Sequence, residues 1–91
     1  MSINDYDPFN TDAGPLFGSI TGTRGSRLHI VEALDLYLSP ALCGMTCDRL
    51  VEREGEEMAL LLAGKPSPPD AVVPDVICSK CLTRYRKAMQ P

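Results

Sequence analysis

The sequence predicts a small α+β domain, a β-hairpin followed by two helices, whose apolar core is too small to hold it alone. Three observations carry that expectation. A period-two stretch around Leu28 and Ile30 reads as strand. An apolar stripe over residues 47–63, closed by Gly64 and the prolines Pro66, Pro68 and Pro69, reads as helix. The segment Cys78-Ser79-Lys80-Cys81 opens a last amphipathic stretch, and Cys43-Gly44 and the single histidine, His29, answer it upstream.

In chain order, residues 1–26 read as an acidic, irregular N-terminal arm and residues 27–91 as the folded domain. Asp5, Asp7 and Asp12 charge the arm, and Gly14, Pro15, Gly18, Gly22 and Gly25 interrupt each candidate element in it. Its apolar residues, Tyr6, Phe9, Leu16, Phe17 and Ile20, suit either a linear docking motif or a cover folded back on the domain. Residues 27–43 read as the hairpin: Leu28, Ile30 and Glu32 alternate with His29, Val31 and Ala33, the turn falls at Ala33 to Asp35, and Leu36, Leu38, Ala41 and Leu42 return. Pro40 marks an edge or bulge just before Cys43. Thr46 or Asp48 suits the cap of the helix over 47–63, with Leu50, Val51, Met58, Leu61 and Leu62 on its apolar face and Gly55 as its weak point. Residues 65–75 form a proline-rich loop, Val72, Val73 and Val76 an extended return, and residues 79–90 the second helix. On that helix Leu82, Tyr85 and Met89 share a face with Cys78 and Cys81, and Lys80, Arg84 and Lys87 share the opposite one.

Setting the arm aside leaves roughly 65 residues, a size at which one core gives only a few kcal/mol of margin. Trp is absent, and the aromatics number five: three Tyr and two Phe. A metal site offers the missing stability directly, because ligands gathered only in the folded state turn binding energy into folding energy. Two cysteines two residues apart chelate one ion from a helix start, where backbone N–H groups and the positive dipole end favour thiolate. A glycine directly after Cys43 lets the chain turn around a bound sulfur. These features point to zinc held by Cys43, Cys78 and Cys81, with His29 or Cys47 as the fourth ligand. The spacing admits both: His29 lies on a strand beside the one leading to Cys43, and Cys47 lies four residues beyond it. Two disulfides are the rival use of four cysteines, disfavoured in the cytoplasm, where a chain that opens without a basic or apolar leader is expected to stay.

The strings Leu28-His29-Ile30-Val31, Ala41-Leu42-Cys43-Gly44 and Val76-Ile77-Cys78-Ser79-Lys80-Cys81-Leu82 resemble small zinc-finger-like proteins of actinobacteria and their phages. The likeness spans about residues 27–87 in short motifs with variable insertions. It implies ligation by His29, Cys43, Cys78 and Cys81 and leaves Cys47 as a free thiol. The chain departs from that pattern in a longer hairpin and in Cys47 itself.

Composition narrows the function. The net charge of −3 argues against wholesale nucleic-acid binding, which needs a basic face. No apolar run reaches the roughly 20 residues that span a bilayer. An Fe–S cluster packs its cysteines more closely than these. Three thiolates make a soft, closed site, and one His leaves none for catalysis, so the chain reads as no enzyme and as having no small-molecule substrate. A zinc-centred platform of treble-clef or zinc-ribbon type then serves one of two partners. The acidic stretch with Asp48, Glu52, Glu54, Glu56 and Glu57 suits a basic protein surface, such as a host nucleic-acid enzyme bound by a phage-type regulator. The basic stripe of Lys80, Arg84 and Lys87, with Arg86 beside it, suits phosphates; equally, basic residues near a helix C-terminus routinely offset its dipole.

Overall fold

A computed structural model describes residues 6–9, 14–21, 27–34, 38–67, 70, 72 and 74–90. Six short strands and two helices follow in the order β1 (Phe17–Ser19), β2 (Arg27–Ile30), β3 (Ser39–Pro40), β4 (Thr46–Cys47), β5 (Arg49–Val51), α1 (Gly55–Leu62), β6 (Val76–Ile77) and α2 (Ser79–Met89). Four strands form one sheet in the order β5-β1-β2-β6, and β3 pairs with β4 in a separate ribbon. The architecture is small α+β, with a sheet and two helices, as the sequence predicts.

The strand pairing differs from the expected hairpin. β2 has β1 as its antiparallel neighbour, with Phe17 opposite Ile30 and Gly18 opposite His29. On its other side it lies parallel to β6, Leu28 beside Ile77. The expected return strand meets β2 only at its last residue and just beyond, where the Leu42 N–H donates to the Ile30 carbonyl, Val31 bridges Ala41 and the Glu32 N–H donates to the Pro40 carbonyl. That return continues as the β3–β4 ribbon, with Ser39 opposite Cys47. The expected turn residue Asp35, Leu36 of the return, Pro68, Pro69 and Val73 of the loop, and Asp5, Asp12, Gly22 and Gly25 of the arm lie outside the described residues.

Part of the expected arm is a middle strand of the sheet. Phe17 is wholly buried, and β1 pairs with both β2 and β5. Tyr6 fixes the segment before it: its hydroxyl donates to the Val31 carbonyl (2.7 Å) and accepts the Leu16 N–H (2.9 Å). Phe9 stacks on Tyr85 of α2 with ring centroids 5.9 Å apart.

The helix expected over 47–63 is half as long. Cys47 ends β4, and Arg49–Val51 pair with β1, Val51 opposite Phe17. The ladder and the company of Phe17 outweigh the helical option for Leu50 and Val51, and continuing a helix through Gly55 would cost about 1 kcal/mol. α1 therefore begins at Gly55, after Glu54 in extended conformation, and neither Thr46 nor Asp48 caps it. Asp48 instead accepts the Thr21 N–H at 3.0 Å. The C-terminus is as predicted: Gly64 N–H donates to Leu61 and Lys65 N–H to Leu60, the paired bonds of a Schellman stop. Arg53 ties the start of α1 to the proline-rich loop through Asp75, at 2.9 Å.

Leu28 and Ile30 project from β2 on one face and His29 on the other, and all three are buried. Both faces of this strand are therefore covered. The core gathers Phe17, Leu28, Ile30, Ala41, Leu42, Cys47, Leu61, Cys78 and Cys81, so the cysteines stand inside the apolar cluster.

Candidate metal centre

Three pieces of backbone converge here. β2 carries His29. The β3–β4 ribbon carries Cys43 at its tip, a tight knuckle closed by Ala41 N–H to Met45 O (2.8 Å) and Gly44 N–H to Ala41 O (3.0 Å). Gly44 stands at φ +92°, a conformation that side-chain-bearing residues rarely adopt. The head of α2 carries Cys78 and Cys81, and the Cys78 N–H anchors that head to the Leu28 carbonyl of β2 at 2.7 Å.

The four ligand atoms of His29, Cys43, Cys78 and Cys81 lie within 4.8 Å of one another. The His29 Nδ1 is the ring nitrogen facing the sulfurs, 3.4 Å from Cys43 Sγ and 3.8 Å from Cys81 Sγ. His29, Cys78 and Cys81 are buried, and Cys43 is partly exposed. All four cysteines of the chain are free thiols, not disulfides.

The electrostatics suit a cation. Burial, then the charge of Arg27, pushes the His29 pKa down, which favours the neutral imidazole a metal requires. Burial pushes the Cys78 thiol up, but the backbone N–H groups of Cys81 and Lys80 face its sulfur and bring it below the ordinary value. This is the helix-start effect the Cys-x-x-Cys spacing predicts. Burial raises Cys81 to about 12, although the Ile30 and Cys43 N–H groups point at its sulfur. A divalent ion is the natural way to let thiols so placed ionise together.

Cys47 is outside the group of four. It is almost fully buried on β4, packed in the core, and burial lifts its thiol to about 11. It fills the space left by Gly18, where an added Cβ would stand 2.7 Å from the Cys47 Cβ. Cys47 thus acts as a small apolar side chain.

The basic residues of α2 divide. Lys80, Arg84 and Lys87 are all exposed. Arg84, read from the sequence as a phosphate contact, donates from Nη1 to the Leu42 carbonyl of the knuckle. Arg84 therefore does not stand on the face opposite the cysteines, as expected from the sequence: a spacing of three residues puts it and Cys81 toward the same neighbour, the knuckle. Arg86 reaches the Leu62 carbonyl at the end of α1, at 3.3 Å. Lys80 and Arg84, with Cys43, Ser79 and Thr83, line a shallow depression of about 380 Å³.

Among the described residues no helix is long and apolar enough to cross a membrane. No protein-family model, curated protein or solved structure matches the chain.

Proposed function

We propose that this chain is a small, non-enzymatic zinc-binding domain, cytoplasmic, in which the ion is structural and the folded surface binds another protein. The observation that carries the zinc reading is the convergence of His29, Cys43, Cys78 and Cys81 from three separate elements. Bond lengths of about 2.3 Å to sulfur and 2.0–2.1 Å to nitrogen imply ligand–ligand edges of about 3.5–3.8 Å in a tetrahedron. The 3.4 and 3.8 Å separations of the His29 nitrogen from two sulfurs suit that size. Three thiolates and one imidazole are an ordinary ligand set for tetrahedral zinc. A knuckle cysteine set against a helix head bearing two more supports a treble-clef-like or zinc-ribbon-like reading of the domain.

A structural ion fits better than a catalytic one. The protein supplies all four ligands, which leaves no position for substrate or water. Among the described residues no carboxylate joins the group. Zinc would tie β2, the knuckle and α2 together, so its loss unties the fold rather than stopping a reaction.

For the partner, the acidic segment supports a basic protein surface. Asp48, Glu52, Glu54, Glu56 and Glu57 are all exposed, and Arg53 is the cation that reaches Glu57 (3.8 Å). A regulator of phage type, acting on a host protein of nucleic-acid transactions, is the form this reading takes. The test is capture from nuclease-treated lysate by the zinc-loaded chain and by a variant with Glu52, Glu54, Glu56 and Glu57 changed to Lys. Salt-sensitive capture of a basic protein, lost in the variant, supports the reading; capture that survives charge reversal overturns the acidic surface as its basis.

The depression beside Cys43 favours a second reading, in which α2 tracks phosphates. Because Arg84 is bonded to the knuckle, the free test positions are Lys80 and Lys87. Changing both to Glu should abolish DNA or RNA retention if this reading holds; unchanged retention sinks it.

A further inference from the structure

We infer that Arg84 is a positioning residue for the metal centre, holding the Cys43 knuckle against α2 whether or not an ion is bound. This deepens the zinc reading above and rests on it.

The knuckle has bonds of two other kinds. Its own turn bonds, from Ala41 to Met45 and Gly44 to Ala41, shape it internally. The Leu42 N–H to Ile30 carbonyl bond, at 3.0 Å, ties it to β2, the strand of His29. Neither reaches α2, which brings Cys78 and Cys81. Apart from contacts to the sulfurs themselves, the bond from Arg84 Nη1 to the Leu42 carbonyl is the hydrogen bond between knuckle and helix among the described residues. It meets the chain one residue before a ligand and leaves α2 three residues after another. One turn of helix therefore presents a thiol to Cys43 and a guanidinium to the carbonyl beside it.

The chemistry of the pair suits this use. A guanidinium is always charged, rigid and forked, so one N–H holds the carbonyl while others stay free. A divalent ion with three thiolates carries a net charge of −1, and the Arg84 cation lines the same depression as Cys43. Partners just outside a metal's ligands typically contribute 10–100-fold in affinity by fixing ligand orientation.

The experiment is competition titration of zinc against a chromophoric chelator for the wild-type chain, Arg84→Ala, Arg84→Lys and Lys80→Ala, with cobalt(II) spectra at saturation. Arg84→Ala is expected to bind about 10–100-fold more weakly with an unchanged saturated cobalt spectrum. Arg84→Lys should recover part of that loss, and Lys80→Ala, which removes an equal charge from the same depression, should bind like wild type. Three results overturn the inference: unchanged affinity in Arg84→Ala, an equal loss in Lys80→Ala, or an Arg84→Ala chain that never attains the wild-type cobalt spectrum. Failure of the wild-type chain to take up an ion would instead refute the zinc reading itself.

Discussion

Replacing Gly18 with alanine would set a methyl group 2.7 Å from the Cys47 Cβ, 2.8 Å from its Sγ and 3.2 Å from the Arg49 carbonyl oxygen. Carbon atoms pack best at about 3.5–4.0 Å, so the neighbours must retreat by about 1 Å. They have little freedom to do so. Cys47 pairs with Ser39 in the ribbon, and Arg49 pairs with Ser19 next to the substituted residue. Overpacking of this kind costs about 1–3 kcal/mol. Gly18 also stands opposite the candidate ligand His29, so the strain falls on the strand pair that seats the metal. If folding and metal binding are one event, the same cost weakens zinc affinity about 5–150-fold. The assay is denaturant unfolding followed by circular dichroism at a fixed free zinc concentration, because apparent stability moves with metal. Adding Cys47→Gly should relieve the clash, so the double variant should be more stable than the sum of the single losses. A Gly18→Ala chain as stable as wild type, or strictly additive losses, would refute the packing of Cys47 against β1.

Two further outcomes follow from the same geometry. Tyr6→Phe removes a donor to the buried Val31 carbonyl and an acceptor of the Leu16 N–H, and should cost about 1–3 kcal/mol in thermal unfolding. Burial raises the Tyr6 phenol from 10.0 to about 12, so the unfolded chain loses that proton first. The Tyr6 contribution is therefore complete below pH 10 and fades as pH climbs to about 12, so Tyr6→Phe should lessen the alkaline loss of stability that Tyr6 shares with the buried thiols; an unaltered alkaline limb would contradict it. Cys47→Ala should lower stability by about 1 kcal/mol through lost packing while leaving zinc stoichiometry intact, read by metal analysis after gel filtration; a fall in bound zinc would make Cys47 a ligand.

What the sequence made legible was local. The Cys-x-x-Cys pair falls at the head of a helix whose buried side carries Cys81 and Leu82, with Tyr85 and Met89 partly covered, because a 3.6-residue period and a helix-start pair are short-range signals. Gly64 stops α1 where a glycine before a proline run says it should. Cys43, with glycine behind it, sits on a knuckle. The rest was settled by distant partners. Three residues of β1 show no period, and their strand character comes from Phe17 lying between Ile30 and Val51. Leu50 and Val51 fit a helical stripe and a strand equally well, and only pairing with β1 decides between them. The reach of β2 to β1 and β6 rather than to its nearest downstream segment is likewise a tertiary choice. The sequence left His29 and Cys47 open as fourth ligand because both had acceptable spacing. In the structure His29 stands in the group of four and Cys47 does not, because the ribbon pairing sets Cys47 against Gly18 and in the core.

The most direct test of the central claim is titration of the reduced, metal-free chain with zinc, followed by circular dichroism and repeated with His29→Ala. The account predicts saturation at one ion per chain with a concerted gain of structure, reversed by a chelator, and a large loss of affinity in His29→Ala. Full folding with no ion taken up, or His29→Ala binding zinc as tightly as wild type, would contradict it.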